Sequence, residues 1–235
     1  MNKTCAALSS LLLTVTILQA QAAERPVVVE LFTSEGCSSC PPADALLTEL
    51  AKRPNVLALS FHVDYWDGLG WKDPFSSPEA TARQRNYAHL LGVGSVYTPQ
   101  VVVDGNWEAV GSDRAAVEHT LAKAEQQPAA LPVTLLVDKG RARIMMNSAG
   151  GGASGSVVLI GFDRSRTDTV ERGENAGRTL AHVDVVRGIE QVGQVSGGAG
   201  EIAAPVPWPS DRLAAIVQAP DGRILGVAVA DRAPF

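Results

Sequence analysis

One stretch restricts the folds open to this chain more than any other: Val27-Val28-Val29-Glu30-Leu31-Phe32-Thr33-Ser34-Glu35-Gly36-Cys37-Ser38-Ser39-Cys40-Pro41-Pro42. A short apolar, β-branched run ending in a polar turn reads as a buried strand. From Ala43 onward, Leu46, Leu47 and Leu50 fall at helical spacing, with Asp44 in the first turn. The pattern is therefore strand, Cys-x-x-Cys, helix. A helix N-terminus carries partial positive charge and unpaired N–H groups, which favour a thiolate over a thiol. This makes Cys37 the expected exposed nucleophile and Cys40, one turn on, the thiol that resolves a mixed disulfide. The same pair also fits half of a zinc site or an inert staple. Zinc needs about two further ligands; His62 and His89 are the nearby candidates and lack paired spacing.

The compartment follows from the start of the chain. Met1-Asn2-Lys3 is basic, residues 6–18 are mostly apolar, and Ala20-Gln21-Ala22 supplies the small residues a signal peptidase reads. Residues 1–22 are expected to be a signal peptide that takes Cys5 with it, leaving Cys37 and Cys40 as an even pair in an oxidising compartment. The expected localisation is periplasmic or secreted. Loss of Lys3 leaves 19 basic residues (20 less one) against 25 acidic ones, so the formal charge goes from −5 to −6. Without a basic run, nucleic acid is not an expected partner. No other segment is long and apolar enough to span a membrane in the mature chain. A composition 46% hydrophobic and 19% charged over 235 residues describes a globular protein of one large or two ordinary domains.

Residues 26–32 and 56–63 read as strands flanking a helix over 43–52, which Arg53-Pro54-Asn55 stops. The segment from Asp64 to Phe75 has the Gly and Pro content of a loop but carries Tyr65, Trp66, Trp71 and Phe75. Its rings either form a binding surface, with Tyr65 and Trp66 lining the approach to the cysteines, or fold inward as a satellite cluster. Ser77-Pro78-Glu79 starts a helix running to about Leu91, with Arg83 and Arg85 toward solvent. Asp104-Gly105 joins strands 100–103 and 107–110 as a hairpin. Ser112-Asp113 opens a last helix ending near Gln127.

This order, with Val96-Tyr97-Thr98-Pro99 ahead of the hairpin, resembles the thioredoxin superfamily over residues 25–127. The resemblance implies a cis bond at Pro99, substrate-peptide contacts at Thr98 and Pro99, and a proton-relay role for Glu30 on the strand entering the site. Asp64, ending the second strand, is a rival proton acceptor. A wider resemblance, carried by residues 30–44, His62-Val63-Asp64-Tyr65-Trp66, Tyr97-Thr98-Pro99-Gln100, Gly173-Glu174-Asn175 and Arg178-Thr179-Leu180, is to a bacterial family of exported proteins labelled DUF1223. One departure from thioredoxins is Pro41-Pro42 after the second cysteine. It implies a helix beginning at the prolines and a Cys40 held out of helical geometry. Glu35, without a basic neighbour in sequence, is expected to disfavour a Cys37 thiolate and so point to a reductase or isomerase.

After Gln126-Gln127-Pro128 the composition shifts. Short β-rich runs at 133–137, 141–147, 157–162, 181–186, 213–218 and 224–230, with turn residues between, suggest a smaller, mostly antiparallel, sandwich-like β domain over 131–235. His182 stands alone there and reads as structural, while Glu174, Arg178 and Arg187 form a candidate ion-pair cluster against the first half. The expected architecture is an α/β thioredoxin-like domain followed by this β domain. The expected activity is a thiol-disulfide oxidoreductase using Cys37 and Cys40, acting on protein thiols or disulfides without a dissociable cofactor or metal. A binding module with a fixed disulfide and a metal carrier using Cys37, Cys40 and His62 are the alternatives.

Overall fold

Alternation of side chains along the first strand decides how the layers are built in the computed structural model, which describes residues 25–127, 131–148 and 152–232. The expected signal peptide lies outside these residues. Strand β1 (Val27–Thr33) sends Val27, Val29 and Leu31 to one face and Val28, Glu30 and Phe32 to the other. Both faces are covered, so the strand reads as a continuous apolar run. β1 pairs in parallel with β2 (Val56–His62), and helix α1 (Pro41–Leu50) crosses between them. Helix α2 (Pro78–Leu90) starts at Ser77, whose hydroxyl accepts the Ala80 N–H at 3.1 Å. β3 (Gln100–Val103) and β4 (Trp107–Val110) form the hairpin expected around Asp104-Gly105, both at positive φ. Helix α3 (Arg114–Glu125) is capped by Asp113.

Seven strands follow: β5 (Val133–Asp138), β6 (Arg141–Met146), β7 (Gly155–Thr169), β8 (Thr179–Val195), β9 (Gly200–Pro205), β10 (Arg212–Gln218) and β11 (Ile224–Asp231). Eight strands make one mixed sheet in the order β11-β10-β7-β8-β2-β1-β3-β4, and β5-β6-β9 form a small antiparallel sheet. One face of the large sheet carries a core shared by both halves of the chain, from Val28, Phe32 and Phe61 to Ile160, Phe162 and Ile216, with Tyr87 of α2 against it. The other face is divided: α1 and α3 cover the first half, and the small sheet packs on β7 and β10. The sandwich-like character expected of residues 131–235 thus takes the form of a small sheet on a large one that the first half also builds.

β7 and β8 run well past the runs expected at 157–162 and 181–186. Their polar ends form a ribbon with little apolar alternation to betray it, and β9 begins in a glycine-rich stretch that reads as loop. β8 pairs with β2 at one parallel position, Ser60 with Val185. The adjacent Asp184 has φ 46°, a left-handed conformation that turns the strand at that point.

Arg83 does not face solvent. It is buried, donating from Nε and Nη2 to the Glu30 carboxylate and from Nη2 to the Tyr87 hydroxyl at 2.8 Å. Its Nη1 donates to Gln218 of β10 at 3.2 Å, so this network joins α2, β1 and the second half of the chain. Arg83→Met should leave Glu30 as an unpaired buried charge and cost about 3–5 kcal/mol in urea unfolding. Adding Glu30→Gln should recover much of that loss.

A buried Cys-x-x-Cys turn as candidate functional site

The carboxyl ends of β1 and β2 converge on the turn that holds the cysteines. Cys37 and Cys40 form a disulfide with their Cα atoms 5.4 Å apart. The helix does begin at the prolines, but Cys40 is itself helical, with φ −78° and ψ −37°, and its carbonyl accepts the Ala43 and Asp44 N–H groups. The expectation that Pro41 keeps Cys40 out of helical geometry is therefore corrected. A second correction concerns access: Cys37, expected as the exposed nucleophile, is 0% exposed, as is Cys40. Only Ser38 and Ser39 between them reach solvent.

The cover comes from the β7–β8 tip, residues 170–178. The carboxamide of buried Asn175 donates to the carbonyls of Glu35 and Cys37, both at 2.9 Å. Glu174 accepts the Ser38 N–H at 3.2 Å, and its pKa is lowered by the Ser38 side chain and N–H. Arg178 donates to Asn175, and Arg187 pairs with Asp163, so the expected Glu174–Arg178–Arg187 ion-pair cluster is not formed. On the other side, the Trp66 Cβ would lie 3.1 Å from a Cβ added at Gly36. The Trp66 indole donates to Thr98 Oγ1 at 2.9 Å, and the Thr98–Pro99 bond is cis, the expected isomer. A Cβ at Gly111 would stand 3.1 Å from that of Ala43 and 3.2 Å from that of Pro99, placing Pro99 beside the first turn of α1.

The aromatic loop turns inward. Tyr65 donates to Gln84 at 3.2 Å, Trp71 donates to Glu35 at 2.8 Å, and Phe75 packs edge-on against His62 and His182. Of the proton-relay candidates, Glu30 is held by Arg83 and Tyr87, and Asp64 accepts from Thr81. His62 meets Asp73 through Nδ1 at 2.7 Å. Burial works against the Asp73 carboxylate, yet His62 and the N–H groups of Glu35 and Phe75 hold its pKa below the usual range. Among the described residues no group of three or more His, Cys, Asp or Glu side chains is arranged to hold a metal.

Sequence reasoning missed His182. It stands on β8 with Nε2 3.4 Å from Glu35 Oε1 and Nδ1 3.7 Å from Asp44 Oδ1, and its ring lies 4.6 Å from that of His62. Burial lowers the imidazole pKa, but the Asp44 and Glu35 carboxylates outweigh it and raise the value to about 9. Glu35 thus has the basic neighbour that its sequence surroundings lack. Asp44 was legible in principle, because position i+4 from Cys40 shares a helix face with it. His182 was not, lying far away in the sequence.

The family described as "Protein of unknown function (DUF1223)" matches residues 28–218. A crystal structure of a protein from Agrobacterium tumefaciens is 32% identical and covers 88% of this chain and 95% of that one, with a TM-score of 0.75. HBP35 of Porphyromonas gingivalis, 16% identical over 88% of this chain and 75% of its own, has a TM-score of 0.63 and shares the fold alone. No curated protein matches the sequence significantly. Among the described residues no helix is long and apolar enough to cross a membrane.

His182 takes its proton near 6.5 when unperturbed and near 9 in the fold. Its contribution to stability is complete below about pH 6.5 and disappears as pH rises through about 9, amounting to roughly 3 kcal/mol. Urea unfolding of the wild type should show this loss between about pH 6 and about pH 9.5, and His182→Gln should flatten it.

Proposed function

The chain belongs to the DUF1223 family, and we propose that it is an exported thiol-disulfide oxidoreductase in which Cys37 and Cys40 open and close as a pair. Its partners are protein thiols or disulfides, it uses no dissociable cofactor, and it works in the periplasm or outside the cell. The arrangement of β2-β1-β3-β4, with parallel and then antiparallel pairing and α1 to α3 around it, supports a thioredoxin-like reading of residues 25–127.

The observation that carries the reading is the disulfide at the N-terminus of α1, one turn from the ionisable pair of Asp44 and His182. A helix N-terminus favours a thiolate there once the bond opens. Loop length argues in the same direction. Closing a loop of about four residues stabilises a fold by roughly 2 kcal/mol in the chain-entropy view, against about 3 kcal/mol for fifteen. A Cys-x-x-Cys bridge is a weak staple.

Burial requires the cap to open. Three hydrogen bonds from Asn175 and to Glu174, each worth roughly 0.5–1.5 kcal/mol net, give an opening cost of about 2–4 kcal/mol. That corresponds to an open fraction of about 0.1–3%. In the open state Thr98 and Pro99 offer backbone to a substrate peptide, with Tyr65 and Trp66 as the adjoining wall. The closed cap fits the oxidised turn and so stabilises the disulfide. The potential should lie below about −200 mV, far from the roughly −120 mV of a strong periplasmic oxidant, which assigns the reductase or isomerase direction.

The same burial favours a second reading, a binding module in which the bridge is permanent. Reduction by dithiothreitol with alkylation of the native protein separates the two. We expect two thiols to become labelled, insulin reduction that Cys37→Ser and Cys40→Ser each abolish, and an Asn175→Ala variant that is reduced about tenfold faster. A pair that stays oxidised and unlabelled in both wild type and Asn175→Ala establishes the permanent bridge. Titration against glutathione checks the potential.

A further inference from the structure

Beneath the cysteines lies a set of buried polar atoms for which the fold supplies no hydrogen bond. Glu35 Oε1, Asp44 Oδ1 and both ring nitrogens of His182 are sealed from water and make no well-aligned hydrogen bond, meeting one another as ion pairs at 3.4 and 3.7 Å. Such atoms carry a desolvation cost, so their grouping calls for a role. Asp44 also lines a groove of about 350 Å³ between α1 and β8, beside Pro41, Thr48, Thr179 and Ala181. One side of the cluster therefore reaches toward solvent, and the other lies one helical turn below Cys40 on the same helix face.

We propose that Asp44 and His182 form the proton exchanger of the dithiol, giving a proton to the Cys40 sulfur when the disulfide opens and recovering it when the bond re-forms, with the α1/β8 groove as the route to water. The inference rests on the redox reading above. A donor dithiol attacks through its thiolate at the Cys37 sulfur, the Cys37–Cys40 bond breaks, and its electron pair leaves with Cys40. Cys40 takes a proton from the imidazolium through Asp44. The second donor thiolate attacks the donor sulfur of the mixed disulfide, releasing Cys37 as a thiolate and leaving the donor oxidised. The donor's two protons go to water, and one returns through the groove to reload His182.

The groups facing His182 are few. Glu35 precedes the cysteine turn, Asp44 stands on α1, and His62 of β2 is itself bound to Asp73. Phe75 closes one side beneath the Arg187 guanidinium, and Arg166, opposite on β7, turns to Asp163. The imidazolium thus meets two carboxylates, and its pKa near 9 keeps the proton in place at neutral pH.

The test uses the reduced full chain in a Cys37→Ser background, where Cys40 is the single thiol after export, and follows thiolate ultraviolet absorbance against pH. Adding His182→Gln removes the cation and should raise the Cys40 pKa by about one unit, a tenfold change in thiolate fraction. Adding Asp44→Asn removes the anion and should lower it. A loosened structure moves both variants in the same direction, so opposite shifts support the exchanger. Equal values or shifts of one sign overturn it, and Asp44→Asn alone decides should His182→Gln fail to fold. The titration needs no turnover, so an inactive protein in the insulin assay counts against the redox reading and leaves this result to stand or fall separately.

Discussion

The two hydrogen bonds from the Asn175 carboxamide to the carbonyls of Glu35 and Cys37 hold the rest of the site in place. They fix the cysteine turn from a hairpin more than a hundred residues away, and they close the surface above the disulfide. Without a partner in the tip of β7–β8, the Glu35 carbonyl would face either water or an unfilled gap, and the Cys37 carbonyl would keep the Cys40 N–H of its own turn. The tip is itself held by Gly173, at φ 81°, whose added Cβ would meet Trp71 at 3.4 Å. Cap and aromatic loop therefore support each other, and the disulfide lies under both.

Below that cap the fold concentrates charge in a way that ordinary cores avoid. Glu35, Asp44, Asp73, His62 and His182 are all buried, and only some of their atoms find hydrogen bonds. Burial alone would drive each toward its neutral form. For His182 and Asp73 the neighbouring groups of opposite charge outweigh that effect, raising the pKa of the imidazole and lowering that of the carboxyl. The Glu30–Arg83–Tyr87–Gln218 network is of a different kind. Its carboxylate and guanidinium bind each other through two bonds and are further satisfied by a phenol and an amide, which makes it a structural joint between sheet and helix.

The shared sheet explains why the two networks can exist together. β8 lies beside β2, so β1 and β2 are interior strands, and the second half of the chain supplies both Gln218 to one face and His182 to the carboxyl ends of the parallel pair. Ligand and reaction sites in open α/β sheets gather at such carboxyl ends. In this protein that position is occupied by residues of the chain's own second half.

The sequence by itself determined the local elements: β1, the helix starting at the prolines, the Ser77 cap, the Asp104-Gly105 hairpin and the pairing of Cys37 with Cys40 at one helix end. Those depend on neighbours a few residues apart, where side-chain period, proline and glycine act directly. The exposure of Cys37, the course of Arg83 and the company of Glu35 were decided only by tertiary structure. Each depends on β7 and β8, whose ribbon carries little apolar alternation at its tip and whose backbone pairing with β2 is a single residue pair. A lone histidine in a β-rich segment carries no mark of the carboxylates it will meet, because burial and charge pairing are properties of the assembled sheet.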